Sequence, residues 1–276
     1  MTQFSNIRNY AKLSVAPMMD WTDRHCRYFH RTLSKNTLLY TEMVTSPALI
    51  KGNATHLLEF DKSEHPVALQ LGGSDPIELA KAAVIGSKYG YDEINLNVGC
   101  PSDRVQSGTF GAVLMKTPEV VAKCCKEMID AVDTEVTVKC RVGVDQQKPD
   151  VTLPKFLEHI SNAGVTRVII HARKAILSGL SPKQNRNVPP LNYELVYKMK
   201  ELFPDLHISL NGGIQSIQQA KSHLENGIDG VMIGRAAYQK PGEVLIDVDK
   251  YIFNDDTSEV TEKDVVKQMI PYIENQ

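Results

Sequence analysis

Glu93-Ile94-Asn95-Leu96-Asn97-Val98-Gly99-Cys100-Pro101 is the most informative stretch of the chain. An apolar strand pattern ends abruptly in an asparagine, a glycine and a cysteine fixed in place by the proline that follows. Pro101 holds its own φ near about −65° and keeps Cys100 out of the helical region. The thiol therefore sits on a stiff turn at a strand end and not on a helix face. That is a poor way to pack a core and a good way to present a reactive group.

Working outward, short β-branched runs recur at 13–18, 38–44, 67–71, 93–98, 136–142, 167–173, 207–211 and 230–235. Helical stretches lie between them, as in a parallel α/β sheet. The segment 76–89 carries Ile77, Ala80, Val84 and Ile85 at helical spacing. The segment 118–132 opens with a proline at a helix start, and 216–226 closes before Gly227. Eight strands alternating with helices over roughly 250 residues predict a (β/α)8 TIM barrel occupying 1–242. The rival, a doubly wound open sheet, usually carries a glycine-rich turn after its first strand. Here that position reads Ala16-Pro17-Met18-Met19.

Polar residues gather where the predicted strands stop: Gln70 before Gly72-Gly73, Asn97 and Cys100, Lys139 and Arg141, His171 and Arg173, Asn211-Gly212-Gly213, and Gly234-Arg235. In a barrel every strand ends at the same mouth, so these groups converge on one site. Past Gly242 the barrel pattern is finished. An acidic link at 253–259 leads to Thr261-Glu262-Lys263-Asp264, which has the acidic first turn of a helix start. The helix it opens is cut off at Gln276. Residues 243–276 are thus expected to be a linker and the start of a truncated C-terminal helical domain.

Bulk properties exclude several classes. Of 276 residues, 42% are hydrophobic and 23% charged, which is ordinary for a globular chain. No apolar run approaches the ~20 residues of a membrane span, and no signal peptide precedes the first polar residues. Cys26, Cys100, Cys124, Cys125 and Cys140 form no C-x-x-C pair and no disulfide ladder, which predicts a reducing, cytoplasmic setting. A net charge of −2 gives no global push towards nucleic acid, so any RNA contact must come from local patches.

The constellations at the strand ends read as follows. Asn211-Gly212-Gly213-Ile214 and Gly234-Arg235 follow the seventh and eighth strands, where barrels often bind phosphate. The alternative is a pair of tight turns that need glycine for positive φ. Lys139 and Arg141 lie two apart on one strand, so they share a face. Facing inwards, two cations are costly without an anionic ligand; facing outwards, they need only surface ion pairs. His171 and Arg173 repeat that spacing, although a histidine ending an apolar strand is often a satisfied core imidazole. Metal binding is only weakly supported and no metal is expected: His25, Cys26 and His30 lie in a predicted helix of basic and aromatic character, and 25/30 is not an i,i+4 pair. Cys124 and Cys125 read as helix packing residues. Arg24, Arg27, Arg31 and Lys35 form a basic helix face, either solvated or a polyanion contact. No Ser-His-Asp order and no P-loop is present. A barrel lyase with Lys139 as Schiff base fits the spacing but leaves Cys100 and the Gln70 turn unused.

Ala16-Pro17-Met18, Gln70-Leu71-Gly72, Asn95 through Pro101, Val138-Lys139-Cys140-Arg141, His171-Ala172-Arg173, Asn211-Gly212-Gly213-Ile214 and Gly234-Arg235 occur in the order seen in tRNA-dihydrouridine synthases. The resemblance spans roughly the first 240 residues. The stretch from His171 to Ala175, continued by Gly179 through Arg186, is similar to the bacterial A subgroup, which acts on D-loop uridines 20 and 20a. The resemblance implies an FMN-dependent, NADPH-driven enzyme that reduces the C5–C6 bond of uridine in tRNA.

It also implies roles. Hydride passes from reduced flavin to C6 of the uracil, and Cys100 gives a proton to C5 from the opposite face. A thiol with an ordinary pKa near ~8.5 is mostly protonated at neutral pH and can act as an acid without tuning. Lys139 neutralises the reduced flavin beside Gln70, and Pro17, Met18 and Met19 line it. His171, Asn211, Gly212, Gly213, Gly234 and Arg235 hold its ribityl phosphate side. Asn97 and Arg141 orient the uracil, while Lys183 and Arg186 match positions used on tRNA. Family members carry a C-terminal helical domain that grips tRNA, and 243–276 is expected to be its beginning. No protein partner is implied. Two other readings stay open: an FMN barrel acting on a free pyrimidine, like dihydroorotate dehydrogenases, and a non-catalytic RNA-binding protein. The basic loop residues Lys183 and Arg186 favour a polymer substrate.

Overall fold

In the computed structural model, residues 5–102, 110–256 and 259–276 are described. Thr257 and Ser258 of the predicted acidic link lie outside the described residues. Eight parallel strands pair in the order β1-β8-β7-β6-β5-β4-β3-β2. They are β1 (Leu13–Val15), β2 (Leu39–Thr45), β3 (Val67–Gly72), β4 (Glu93–Val98), β5 (Glu135–Arg141), β6 (Arg167–His171), β7 (His207–Asn211) and β8 (Gly230–Ile233).

The ring closes between β1 and β2. Ser14 bridges Leu38 in parallel, with Val15 N–H donating to Leu38 C=O (3.0 Å) and Leu38 N–H to Leu13 C=O (3.1 Å). The expected (β/α)8 barrel is therefore the fold of the chain. At the β8 seam there is no room for a side chain, since a Cβ on Gly230 would lie 2.2 Å from the Ala11 carbonyl oxygen.

A short helix, α1 (Ser5–Tyr10), precedes β1, and helices follow the strands as α2 (Arg24–Leu33), α3 (Ser46–Ile50), α4 (Pro76–Tyr89), α5 (Pro118–Ala131), α6 (Pro149–Asn162), α7 (Tyr193–Leu202) and α8 (Ile217–Glu225). Their starts follow local chemistry. Asp23, Asp75, Asn192 and Ser216 cap α2, α4, α7 and α8 by accepting from backbone N–H groups, and Pro118 and Pro149 open α5 and α6. Among the described residues, no helix is long and apolar enough to cross a membrane.

Two faces of each strand lead to two different interiors. Leu69, Ile94, Leu96, Val98, Val138, Ile170, Leu210 and Val231 belong to the apolar layer between sheet and helices, where Cys124 and Cys125 are also fully buried. The barrel lumen is unusually polar. Its apolar members are few, among them Tyr40, Ala68, Ile169 and Met232. The others include Glu93, Asn95, Asn97, Gln70, Thr137, Arg167, Ser209 and Asn211, all buried. At its base Arg167 sits between Glu93 and Glu135, donating to both carboxylates, so charges in the lumen are paired there.

Beyond β8 come α9 (Arg235–Gln239), α10 (Pro241–Leu245), α11 (Val248–Phe253) and α12 (Glu262–Glu274). Thr261 and Asp264 form a reciprocal capping box at the start of α12. That helix lies against α2, with Tyr272 stacked on Tyr28 at 3.7 Å.

Candidate active site

The strict alternation of β4 sends Ile94, Leu96 and Val98 to the helix layer and Glu93, Asn95 and Asn97 into the lumen. Asn97 ends the inward row and organises the turn after it. Its Oδ1 accepts from the N–H groups of Gly99 (3.0 Å) and Cys100 (2.9 Å), and its Nδ2 donates to Gln70 Oε1 (2.8 Å). Arg141 Nε donates to the Gly99 carbonyl (2.9 Å), and Ala112 N–H to the Cys100 carbonyl (2.9 Å). Cys100 is thus half-buried on a turn fixed from three sides, with Sγ 3.6 Å from Ser102 Oγ.

Around it stands a group of cations. Lys139 faces inwards beside Asn97 in register, and its Nζ donates to Asn211 Oδ1 (3.1 Å). Burial, with Arg141 adding, pushes its pKa down to about 8. Burial likewise lowers Arg141 to about 10, with Cys100 opposing and Arg186 and Arg173 adding. His171, next to Asn211 across the sheet, is held well below its ordinary value by burial and then by Arg141, Lys139, Arg173 and Arg235. Its imidazole is neutral at pH 7. Among the described residues, none of Lys139, Arg141, Arg173, Arg186 and Arg235 pairs with a carboxylate. Arg173 Nε is buried, with no hydrogen-bond partner among the described residues.

Glycines complete the cradle. Gly212 and Gly213 have φ of 115° and 76°. A Cβ on Gly212 would lie 2.6 Å from His171 Cδ2, and one on Gly213 2.6 Å from Leu191 Cδ1 and 2.8 Å from Tyr193 Oη. Tyr193 Oη–H donates to the Gly212 carbonyl (2.6 Å) and fixes the turn. Gly234 differs, with φ −105° and room for a Cβ 3.6 Å from Ala16 Cβ and 3.8 Å from Met18 Sδ. The tight-turn reading therefore explains the first pair and not Gly234. Cations without carboxylates, an orphaned buried guanidinium nitrogen and an open glycine make a lining that fits a phosphate-bearing anion.

The sequence-predicted residues do not all meet. Cys100, Lys139, Arg141, His171, Asn211 and Arg235 share the mouth, with Cys100 near enough to Lys139, Arg141 and Arg186 to couple to them electrostatically. Pro17 and Met18 are half-buried at the end of β1, whereas Met19 is 53% exposed. Lys183 is exposed at the start of a short 3-10 turn, Gln184–Arg186, whose Arg186 carbonyl accepts from Arg235 (3.4 Å). Gln70, Asn97 and Arg141 are all engaged within the protein. Arg141 reaches not only Gly99 but also the carbonyls of Lys174 (3.0 Å) and Asn185 (3.1 Å).

Asn185 escaped the sequence reading. It is fully buried and holds the long loop after β6 by donating to Ile176 and Leu180 carbonyls and accepting from Ile176 N–H (2.7 Å). The basic helix face needs correction. Arg27 is buried on Glu64 (2.6 Å), and Arg31 is buried among the carbonyls of Ser34, Lys35, Thr37, Glu64 and Pro66. Two of its four cations anchor the loop before β3 and are neither solvated nor open to a polyanion. No cluster able to hold a metal ion occurs among the described residues.

Residues 14–276 match a family described as dihydrouridine synthase (Dus). The chain is 55% identical over 276 residues to the tRNA-dihydrouridine(20/20a) synthase of Salmonella typhi, covering 100% of this chain and 82% of the relative. It is 54% identical over 277 residues to that of Escherichia coli K12, covering 100% and 79%. To that of Vibrio parahaemolyticus it is 54% identical over 266 residues, covering 96% and 81%.

Proposed function

The chain belongs to the dihydrouridine synthase family, and on that premise we propose that it reduces uridine to 5,6-dihydrouridine in the D-loop of tRNA, at positions 20 and 20a, with FMN as cofactor and NADPH as reductant. The single observation that carries this reading is Cys100, held half-buried on a pinned turn beside cations that, among the described residues, have no carboxylate partner. Such a place suits a proton donor facing an anionic cofactor.

When bound, FMN supplies the hydride for C6 of the uracil, and NADPH replaces the electrons. The residues of the chain do the rest. Lys139 and the neutral His171 would lie along the cofactor, with Gly212, Gly213, Gly234, Arg235 and the unpartnered Nε of Arg173 at its phosphate. Pro17 and Met18 would close one side of it, with Met19 at the rim. Cys100 Sγ–H gives its proton to C5, and the thiolate left behind is reprotonated from solvent. Hydride and proton together balance the addition of two hydrogens across C5–C6. Arg141 and Asn97 serve this step by holding the Cys100 turn, and Gln70 by holding Asn97.

The target base must leave its stack to reach the mouth, which costs a few kcal/mol and less in a loop already distorted. Lys183 and Arg186, exposed on the loop after β6, would meet tRNA phosphates, making affinity fall with salt. Residues 243–276 are read as the linker and first helix of a helical tRNA-binding region, anchored through Tyr272 on Tyr28. A cytoplasmic setting fits the substrate and the free thiols.

The test is an absorbance spectrum of the purified protein under anaerobic conditions. A flavin spectrum that NADPH bleaches and unmodified tRNA restores supports the proposal. Failure to bind flavin after reconstitution with FMN contradicts it.

A further inference from the structure

Five polar side chains cross the buried lumen in a single hydrogen-bonded line, from Glu93 at its base to the Cys100 turn at its mouth. Arg167 and Tyr40 Oη–H both donate to Glu93, and so does Thr137 Oγ1–H. Asn95 Nδ2 donates to Thr137 Oγ1 (2.8 Å), and Gln70 Nε2 to Asn95 Oδ1 (2.8 Å). Asn97 Nδ2 donates to Gln70 Oε1 (2.8 Å), and its own Oδ1 receives the N–H groups of Gly99 and Cys100. Glu93, Asn95 and Thr137 are 0% exposed, Gln70 1% and Asn97, at the mouth, 8%, so the line is sealed from solvent from its base up to Gln70.

The line has one direction, and elementary donor–acceptor logic sets it. A carboxylate paired with Arg167 can only accept, so Thr137 must donate to it. The free lone pair of Thr137 then requires the amide NH2 of Asn95, which turns the Asn95 oxygen to Gln70. The same step repeats through Gln70 and leaves the Asn97 oxygen facing the turn. Reversing any one amide would place NH2 groups against N–H groups in a buried setting, where each unsatisfied donor is costly.

We infer that Asn95 and Thr137 are positioning residues for Cys100, acting through a polar relay whose direction originates at the Glu93–Arg167 pair. The inference rests on the reading of Cys100 as proton donor for its catalytic consequence only. The relay sets the Asn97 amide, the Asn97 oxygen fixes the Gly99 and Cys100 N–H groups, and these hold the thiol in place. Thr137 lies two residues before Lys139 on the same strand face, so one strand supplies both the cation and the relay.

The experiment compares Thr137→Val, which keeps the shape and removes the hydroxyl, with Thr137→Ser, which restores it. Amide hydrogen exchange of the FMN-reconstituted protein reads the Gly99 and Cys100 N–H groups directly. In Thr137→Val these exchange at least tenfold faster while Ile208 and Val231 stay protected, and in Thr137→Ser protection returns. In the same samples, recovery of the bleached flavin by tRNA slows about tenfold in Thr137→Val, is rescued in Thr137→Ser, and NADPH bleaching is unchanged. Asn95→Ala cuts the relay on its other side and supplies the same comparison if Thr137→Val does not fold. Unchanged exchange at the turn overturns the relay. Faster exchange with full tRNA-dependent recovery overturns its positioning role. A wild-type protein that tRNA cannot reoxidise would count against the proposed function alone, because the exchange result stands independently of it.

Discussion

Lys139→Met replaces a cation that has no carboxylate partner among the described residues by an apolar chain of similar length, and the flavin-free protein should become more stable for it. Burial first, and Arg141 second, lower the Lys139 pKa from 10.5 to about 8. Each tenfold change in proton affinity is worth ~1.4 kcal/mol, so keeping the charge at pH 7 costs the fold about 3.5 kcal/mol at most. Lys139 is not fully sealed from the mouth, and the bond to Asn211 Oδ1 is lost with it, which leaves roughly 1–2 kcal/mol. For a domain of this size that is a rise in Tm of roughly 2–8 °C. The sign with pH is fixed. Below pH 8 both folded and unfolded lysine are charged, and the wild type carries its full deficit. The deficit shrinks as pH rises from 8 and is gone above 10.5, where both states are neutral. The assay is thermal melting of both apoproteins from pH 6.5 to 10.5, followed by FMN titration at pH 7. The variant should melt higher at neutral pH, converge with the wild type at high pH, and bind FMN more weakly. A variant that melts at or below the wild type at pH 7 would refute the idea that the lumen holds an uncompensated cation.

Cys100→Ala should leave bleaching by NADPH intact and slow recovery by tRNA about a hundredfold or more, the usual contribution of a positioned general acid, as measured in single-turnover absorbance. Gly212→Ala should lower Tm and flavin content, because φ of 115° and a Cβ 2.6 Å from His171 leave it no relaxed place. Gly234→Ala, with 3.6 Å of room, should melt within about 2 °C of wild type and lose only flavin affinity, which flavin release on dilution will report. Arg167→Met strands Glu93 and Glu135 in the lumen and should cost about 3–5 kcal/mol, read from chemical denaturation.

The fold was legible because the strand ends announce themselves. Helix 76–89 and strands 93–98 and 207–211 have the bounds read from sequence, and the other strands differ by a few residues at most. The excess lies mostly at C-terminal ends, as at Met18, Arg173 and Arg235, where residues leave the ladder to line the mouth or start α9. That Lys139 and Arg141 share a face followed from their spacing, and the structure turns that face inwards. Their partners did not, because a side chain's acceptor depends on which loops the barrel folds over it. Arg141 therefore emerged as a clamp on three carbonyls, and Arg27 and Arg31 as buried anchors. Asn185 sits in a loop with no periodicity to flag it. The relay had a visible signal, the polar row Glu93, Asn95, Asn97 alternating with Ile94, Leu96, Val98, since a strand polar on its inner face must satisfy that face internally.

The product in the tRNA is the most direct readout. Unmodified tRNA incubated with the protein, FMN and NADPH, then digested and analysed by mass spectrometry, should show D-loop fragments containing positions 20 and 20a heavier by the mass of two hydrogen atoms. The gain should be absent with Cys100→Ala over the same time. Fragments of unchanged mass, from protein whose flavin NADPH does bleach, would contradict the account.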